Sequence, residues 1–220
     1  MYEERSVVDT EGTRHKLHSE TAPVHATALY NAVLSQQPKT VVEVGLAYAA
    51  SSLAVLAAFE ELGAGTLISI DPFQNTDYSG IGLANIERAG HADRHRLIEK
   101  PSYLALPELI EEGVVVDLAY IDGMHTFDYT LVDFFLLDKM CPVGGTIAFN
   151  DCGYRAVWKV LGYVQTHRRY EALDVGLPRN FAGRNALVTT ARRLTGRSRE
   201  DRYFRKLEQW EPPWNFFASF

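Results

Sequence analysis

Residues 40–71, "TVVEVGLAYAASSLAVLAAFEELGAGTLISID", decide the fold of this chain, because two apolar runs flank a segment with helical spacing. The runs "TVVEVG" (40–45) and "GTLISID" (65–71) are rich in Val and Ile, which predicts buried strands. Between them, "AASSLAVLAAFEEL" (49–62) has the apolar period of a helix and is followed by Gly63, a common helix terminator. This order predicts two parallel strands joined by a right-handed helical crossover.

The same alternation continues through the central part of the chain. Further strands are predicted at 95–99, 114–122 and 144–151, and helices at 81–90, 102–113, 127–140 and 154–168. Two later runs, 170–175 and 185–190, could close the sheet and bring it to seven strands. We therefore predict an α/β fold with a doubly wound, mostly parallel, seven-stranded sheet that has helices on both faces.

The composition argues against several classes of protein. The net charge of −6 does not favour a broad nucleic-acid-binding surface. No apolar run approaches the roughly 20 residues needed to cross a bilayer, and the N-terminus lacks the layout of a signal peptide, so we expect a cytoplasmic protein. The two cysteines, Cys141 and Cys152, have no zinc-type spacing and are expected to be reduced structural thiols.

The ends of the predicted strands carry the functional signal, because open parallel sheets bind ligands beyond the carboxyl ends of their strands. Gly45 begins a turn into a helix, where backbone N–H groups can approach a ligand. The turn lacks G-x-G-x-x-G, so a dinucleotide-binding oxidoreductase is disfavoured. Asp71 ends the second strand, where its carboxylate could bind a ribose diol or could cap the next turn.

Asp122 follows the fourth strand, and Asn150 and Asp151 follow the fifth. Each could cap a helix or turn, but neighbouring strand ends lie about 5 Å apart, so the three side chains could converge. Two carboxylates and an amide oxygen suit Mg²⁺, Mn²⁺ or Ca²⁺. His125 would then lie beside the cation, where an imidazole can take a proton from a bound hydroxyl.

The segments "VVEVGLAYAASS", "ISIDPF" and "LAYIDGMHTFDYTLVDFFLLDKMCPVGGTIAFND" resemble the class I S-adenosylmethionine-dependent methyltransferases. Within this class they are most similar to metal-dependent small-molecule O-methyltransferases of the catechol type and of the type that methylates macrolide sugars. The resemblance spans about residues 38–160 and implies a Rossmann-like methyltransferase fold. It also implies S-adenosylmethionine as cofactor, Mg²⁺, and a small-molecule hydroxyl as acceptor. In the family turn E-x-G-x-x-x-G-x-S, Ala49 replaces the second glycine.

The resemblance also implies roles for individual residues. His125 would be the general base, and Asp122, Asn150 and Asp151 the metal ligands. The implied cofactor-binding residues are Glu43, Gly45, Leu46, Ala47, Ser51, Asp71, Pro72, Ser102 and Asp122. Two alternatives remain open: a metal-independent methyltransferase of the same fold, and a catalytically silent domain that only binds the cofactor.

The sequence divides into three parts. Residues 1–38 would form a helical leader that contributes to the acceptor pocket or an interface, residues 39–190 the cofactor-binding domain, and residues 191–220 a basic and then aromatic tail. The segment 191–206 carries seven basic and two acidic side chains, and could be solvated or could contact a second subunit. The aromatic residues after position 209 are expected to pack, and we expect a homodimer.

Overall fold

The structure, a computed structural model, describes residues 3–220. The strands are β1 (Ser6–Val8), β2 (Arg14–Lys16), β3 (Thr40–Val44), β4 (Thr66–Ile70), β5 (His95–Ile98), β6 (Leu118–Ile121), β7 (Thr146–Phe149), β8 (Tyr170–Leu173) and β9 (Arg202–Lys206). The helices are α1 (Pro23–Gln36), α2 (Ala50–Leu62), α3 (Ile81–Arg88), α4 (Ser102–Glu111), α5 (Phe127–Met140), α6 (Arg155–His167) and α7 (Ala186–Thr195).

The main sheet has seven strands in the order β5-β4-β3-β6-β7-β9-β8. The first five are parallel, and β9 runs antiparallel to both β7 and β8. Strand order reverses between β3 and β6, where Val44 pairs with Ile121. The loops after these two strands therefore open at the switch point where such sheets bind ligands. The predicted doubly wound, mostly parallel seven-stranded fold is confirmed.

Both faces of the sheet are covered, as the apolar strands predict. On one face, Val42 and Ile121 pack with side chains of α4, α5 and α6 such as Phe134. On the other face, Val41 and Leu118 pack with side chains of α1 and α2. Each such buried side chain contributes about 1.5–3 kcal/mol to folding relative to an exposed one. Among residues 3–220, no helix is long and apolar enough to cross a membrane.

The prediction of a closing strand at 185–190 is wrong, because these residues begin helix α7. Asn185 caps this helix by accepting a hydrogen bond from the backbone N–H of Val188, at 2.9 Å. The seventh strand is instead β9, in the segment assigned to the tail. Tyr203 and Phe204 are buried there, so the sheet includes residues beyond position 190.

Two other elements differ from the predictions. Strand β6 covers Leu118–Ile121 rather than 114–122, so it is short rather than the longest strand. The leader is helical only in α1, because β1 and β2 form an antiparallel hairpin before it. The hairpin strands have three residues each, too few to show a clear alternation of apolar and polar side chains.

Part of the aromatic tail folds back on the chain, as expected. The ring of Phe220 lies 5.7 Å from that of Tyr163 and 6.4 Å from that of Phe127. Phe216 contacts the ring of His167. Trp214, by contrast, is 96% exposed.

Candidate active site

A cavity of about 630 Å³ opens at the carboxyl ends of the parallel strands. The turns after β3, β4, β5, β6 and β7 line it together with leader residues 19–21. Nearly all of the predicted site residues reach it: Gly45, Leu46, Ala47, Ser51, Asp71, Pro72, Ser102, Asp122, His125, Asn150 and Asp151. Glu43 does not line the cavity.

The turn after β3 requires a left-handed backbone at several positions. Gly45 has a φ of +97°, and a Cβ there would lie 2.3 Å from the carbonyl oxygen of Asp122, so only glycine fits. Ala49, at the family's second glycine position, has a φ of +66° and precedes helix α2. A residue with a Cβ adopts this conformation at a cost of about 1–2 kcal/mol. Alanine at this position therefore stores strain in the turn.

Asp71 holds this turn against the end of β4. Its Oδ2 accepts hydrogen bonds from the backbone N–H groups of Leu46 (3.0 Å) and Ala47 (2.8 Å), and from Nε2 of Gln74 at 3.2 Å. Its Oδ1 accepts one from the backbone N–H of Phe73, at 2.8 Å. Oδ1 is thus the oxygen with more capacity left for a ligand in the cavity.

Glu43 lies behind the cavity wall and is fully buried. Its carboxylate accepts hydrogen bonds from the hydroxyls of Ser51 and Ser52 in α2, and from that of Ser69 in β4 at 3.0 Å. Burial raises the pKa of Glu43 to about 7, although the three hydroxyls partly oppose this shift. Glu43 therefore supports Ser51, which itself lines the cavity.

His125 lines the cavity and lies between two carboxylates. Its Nε2 is 3.3 Å from Oδ1 of Asp122 and 3.6 Å from Oδ2 of Asp151. These are ion contacts rather than directed hydrogen bonds, because Nε2 has no partner with hydrogen-bond geometry in residues 3–220. Burial lowers the pKa of His125, but the adjacent carboxylate of Asp122, and then the charge of Asp151, outweigh it and raise that pKa. Burial raises the pKa of Asp122.

The predicted metal ligands have suitable chemistry for a hard cation. Asp122 and Asp151 approach the same nitrogen, and Asn150 also interacts with His125. Within the described part of the chain, however, no group of three or more His, Cys, Asp and Glu is arranged to hold a metal ion. The donor set therefore fits a cation only with the amide oxygen of Asn150 as its third ligand.

The leader completes one side of the cavity. Thr21 donates a hydrogen bond from its hydroxyl to Oδ2 of Asp122, at 3.4 Å. His18 packs beside the cavity rather than in it: its Nε2 lies 2.7 Å from the hydroxyl of Tyr48, and its ring stacks on Tyr78. Tyr78 belongs to the polar loop after β4 and lines the cavity.

Sequence reasoning missed the support beneath Asn150. Its Nδ2 donates hydrogen bonds to Oδ1 of Asp201 (3.0 Å) and to the hydroxyl of Tyr120 (3.1 Å). Burial raises the pKa of Asp201 to about 7. The available signal was an acidic residue directly before "RYF", but its strongly basic surroundings favoured a solvated segment.

Comparison with protein families identifies the chain. Residues 42–152, half of its length, match a family described as a methyltransferase domain. The chain belongs to this methyltransferase family. A search of curated protein sequences found no match.

Solved structures share the fold of the methyltransferase at low sequence identity. Cofactor-bound Rv0187 from MTB is 15% identical, with 86% of this chain and 83% of that chain covered and a TM-score of 0.68. An O-methyltransferase from Bacillus cereus in complex with SAH is 13% identical, with 86% and 83% covered and a TM-score of 0.66. The O-methyltransferase TomG from Streptomyces achromogenes, involved in tomaymycin synthesis and solved with SAM, is 12% identical, with 86% and 82% covered and a TM-score of 0.66. The predicted class I S-adenosylmethionine-dependent methyltransferase fold is confirmed.

Proposed function

We propose that this methyltransferase transfers the methyl group of S-adenosylmethionine to a hydroxyl oxygen of a small molecule. The observation that carries the proposal is that one cavity contains both the glycine turn after β3 and the group formed by Asp122, His125 and Asp151. Its volume, about 630 Å³, is typical of a small-molecule site. Two of the similar structures are O-methyltransferases solved with SAH or SAM, which agrees with this assignment.

The glycine turn and the tip of β4 would bind the cofactor. The cofactor supplies a methyl group that its sulfonium has already activated, so the protein needs chiefly to orient the reactants and exclude water. Backbone groups of Gly45–Ala47 and the hydroxyl of Ser51 would hold the methionine part. Oδ1 of Asp71 would accept a hydrogen bond from the ribose, and Pro72 and Ser102 would flank the nucleoside.

His125 would act as the general base. Its imidazole would accept the proton of the acceptor hydroxyl, and the carboxylates of Asp122 and Asp151 would stabilise the resulting imidazolium. A positioned general base contributes about 10²–10⁴ to a rate. The open side of this group, at Tyr154 and leader residues 19–21, would receive the acceptor.

We further propose that Asp122, Asn150 and Asp151 hold a divalent cation, for which Mg²⁺ is the best fit to an oxygen donor set. A cation at this position would lower the pKa of a bound hydroxyl and fix its direction. A metal-independent reaction is the second candidate. It is favoured by the position of His125 between the two carboxylates, where the imidazole itself balances their charge.

Calorimetry with S-adenosylmethionine tests the first step of the proposal, and formation of S-adenosylhomocysteine with a panel of hydroxyl compounds tests the second. We expect binding, and turnover with at least one acceptor. A protein that does not bind the cofactor would contradict the proposed function, and one that binds without turnover would be the silent domain.

The role of His125 is tested by substitution. His125→Ala should lower kcat about 10²–10⁴-fold and leave cofactor affinity nearly unchanged. His15→Ala is the matched control, because His15 pairs with Asp9 in the hairpin outside the cavity. Full activity of His125→Ala would remove this residue from the mechanism.

Chelation decides between the metal-dependent and metal-independent reactions. If the cation is required, EDTA should abolish turnover and Mg²⁺ should restore it. Asp151→Ala should remove the dependence of turnover on Mg²⁺. Wild-type activity that is insensitive to EDTA would favour the metal-independent reaction.

A homodimer remains a prediction. It is supported by the exposure of Leu187 (82%), Leu194 (83%) and Trp214 (96%), large apolar side chains that a second subunit could cover. Sedimentation velocity measures the state directly.

A further inference from the structure

A chain of polar side chains runs from the leader helix to the floor of the cavity. Nε2 of His25, in α1, lies 2.6 Å from Oε2 of Glu200, and its Nδ1 lies 3.2 Å from Oδ1 of Asp201. Asp201 is 3% exposed and directly precedes β9. The same Oδ1 accepts a hydrogen bond from Nδ2 of Asn150, at 3.0 Å. Asp201 thus connects three distant parts of the chain.

The groups around Asp201 act as donors to it. The hydroxyl of Tyr120 donates to Oδ2 at 2.7 Å, while Asn150 donates to Oδ1. The other hydrogen bond from Nδ2 of Asn150 goes to the hydroxyl of Tyr120, at 3.1 Å. Because an amide nitrogen has two hydrogens, both are used on this side.

This arrangement sets the direction of the Asn150 amide. With its nitrogen turned toward Asp201 and Tyr120, its oxygen faces away from them, toward the cavity that Asn150 and His125 both line. A rotated amide would place an N–H₂ group against His125 and an oxygen against the Asp201 carboxylate, and both contacts would be unfavourable. We propose that Asp201, held by His25, is a positioning residue that keeps the Asn150 amide oxygen directed into the active site.

The inference rests on the proposed function, because the direction of this amide matters only if Asn150 serves the cavity. It also gives the leader and β9 a role in the reaction. The carboxylate is suited to this role because it offers acceptors to Asn150, Tyr120 and His25 together, whereas an amide at position 201 would place a donor among these donors. Burying a carboxylate is costly, and an apolar side chain would meet a purely structural need at lower cost.

Asp201→Asn is the first test, and Mn²⁺ affinity in the presence of S-adenosylhomocysteine is its first readout. Removing the partner that orients a ligand typically weakens metal binding or activity 10–100-fold. We expect Mn²⁺ affinity and kcat to fall about tenfold, with the KM for S-adenosylmethionine unchanged. Wild-type values for both Mn²⁺ affinity and kcat would overturn the inference.

Asp117→Asn is the matched control. Asp117 also anchors a strand through its carboxylate, which accepts hydrogen bonds from the backbone N–H groups of Lys39 (2.9 Å) and Thr40 (3.0 Å). It lies at the opposite end of the sheet, before β6. This variant should keep wild-type Mn²⁺ affinity and kcat, so a loss equal to that of Asp201→Asn would overturn the inference.

A double-mutant cycle separates positioning from a general structural effect. If Asp201 acts through Asn150, adding Asp201→Asn to Asn150→Ala should cause no further loss of Mn²⁺ affinity. Additive losses would show that Asp201 acts by another route. If Asp201→Asn does not fold, His25→Gln carries the same cycle with a smaller loss expected, because it leaves the carboxylate in place.

The NMR chemical shifts of the His125 ring are a readout that depends on neither metal binding nor turnover. Nitrogen chemical shifts of this ring should move in the same direction in Asp201→Asn and in Asn150→Ala, because both change the group that faces it. Unchanged His125 shifts in Asp201→Asn would overturn the inference. If the wild type binds no Mn²⁺, the proposed cation is wrong, and these shifts alone decide the role of Asp201.

Discussion

Two buried carboxylates, at opposite ends of the sheet, are balanced in opposite ways. Glu43, behind the cavity, is surrounded by three serine hydroxyls, and burial raises its pKa to about 7. Asp138, at the far end of α5, pairs with Nε of Arg168 at 2.8 Å and Nζ of Lys206 at 2.9 Å. Burial raises the pKa of Asp138, but Lys206, Tyr170 and Arg168 outweigh it and hold that pKa below its usual value.

The two carboxylates differ in whether a Lys or Arg side chain pairs with them, and this difference separates the structural region around Asp138 from the region around the cavity. No described Lys or Arg forms an ion pair with Glu43, Asp122 or Asp201, all of which lie at or behind the cavity. Burial raises the pKa of each of these three carboxyls. Carboxyls with raised pKa values cluster at functional sites, whereas the Asp138 network joins α5, the residue that follows α6, β8 and β9.

The largest effect is expected when Asp138, the buried carboxylate that is paired with two cations, is removed. Asp138→Ala leaves Arg168 and Lys206 buried without their partner, so the free energy of unfolding should fall by about 3–5 kcal/mol. Denaturant unfolding measures this loss. Glu171→Ala is the control, because it removes an exposed pair with Arg205 and should cost at most about 1 kcal/mol. A loss for Asp138→Ala no larger than the control's would break the comparison.

Glu43→Gln tests the buried carboxylate that has no described Lys or Arg partner, and the test is the pH dependence of stability. Glu43 ionises near 4.5 when unfolded and near 7 when folded, so the folded state binds its proton more tightly. Its contribution to stability is therefore full below pH 4.5 and declines as pH rises through 7. A pKa shift of this size corresponds to about 3 kcal/mol of stability, which the wild type loses as Glu43 ionises. Glu43→Gln has no ionisable group at this position and would not lose it.

The measurement is the free energy of unfolding of both proteins at pH 5 and pH 8. The stability of Glu43→Gln relative to the wild type should increase by about 2–3 kcal/mol between these values. A difference that does not change with pH would mean that Glu43 is not held in its protonated form by burial.

Ser69→Ala sharpens the comparison with a smaller effect. It removes one of the three hydroxyls that donate to Glu43, so unfolding free energy should fall by about 1 kcal/mol at pH 8. The loss should be smaller at pH 5, because hydrogen bonds to a charged acceptor are the stronger ones. An equal loss at both pH values would show that Ser69 contributes by packing alone.

The sequence predicts the fold best where the signals are local. Residues 127–140 form the predicted helix, and its buried side chains recur every three or four residues, at Thr130, Phe134 and Leu137 among others. The side chains at the strand ends converge because a parallel sheet brings those ends to one edge. Glu43, which the resemblance assigned to the cofactor, lies behind the wall instead, because strand alternation turns it away from Val42 and Val44, which face the opposite layer of helices.

The C-terminal part is not predictable in this way. The segment "RYFRK" contains three basic residues in five, which hides a strand that pairs on both sides with segments far away in sequence. The local pattern therefore predicts the last strand at 185–190, where helix α7 begins. It predicts neither β9 nor the contact of Asp201 with Asn150. Such long-range antiparallel pairing leaves little trace in a short window of residues.

The late position of β9 also orders events during synthesis. Thr146 pairs with Arg205, and Asp201 reaches Asn150 only when this strand is in place. At about 5–20 residues per second, a ribosome needs several seconds to pass from one partner to the other. During that interval the nascent chain exposes the edge of β7, an open template for pairing with other chains. The pairing of β9 with β7 therefore completes the floor of the cavity and covers this edge in the same step.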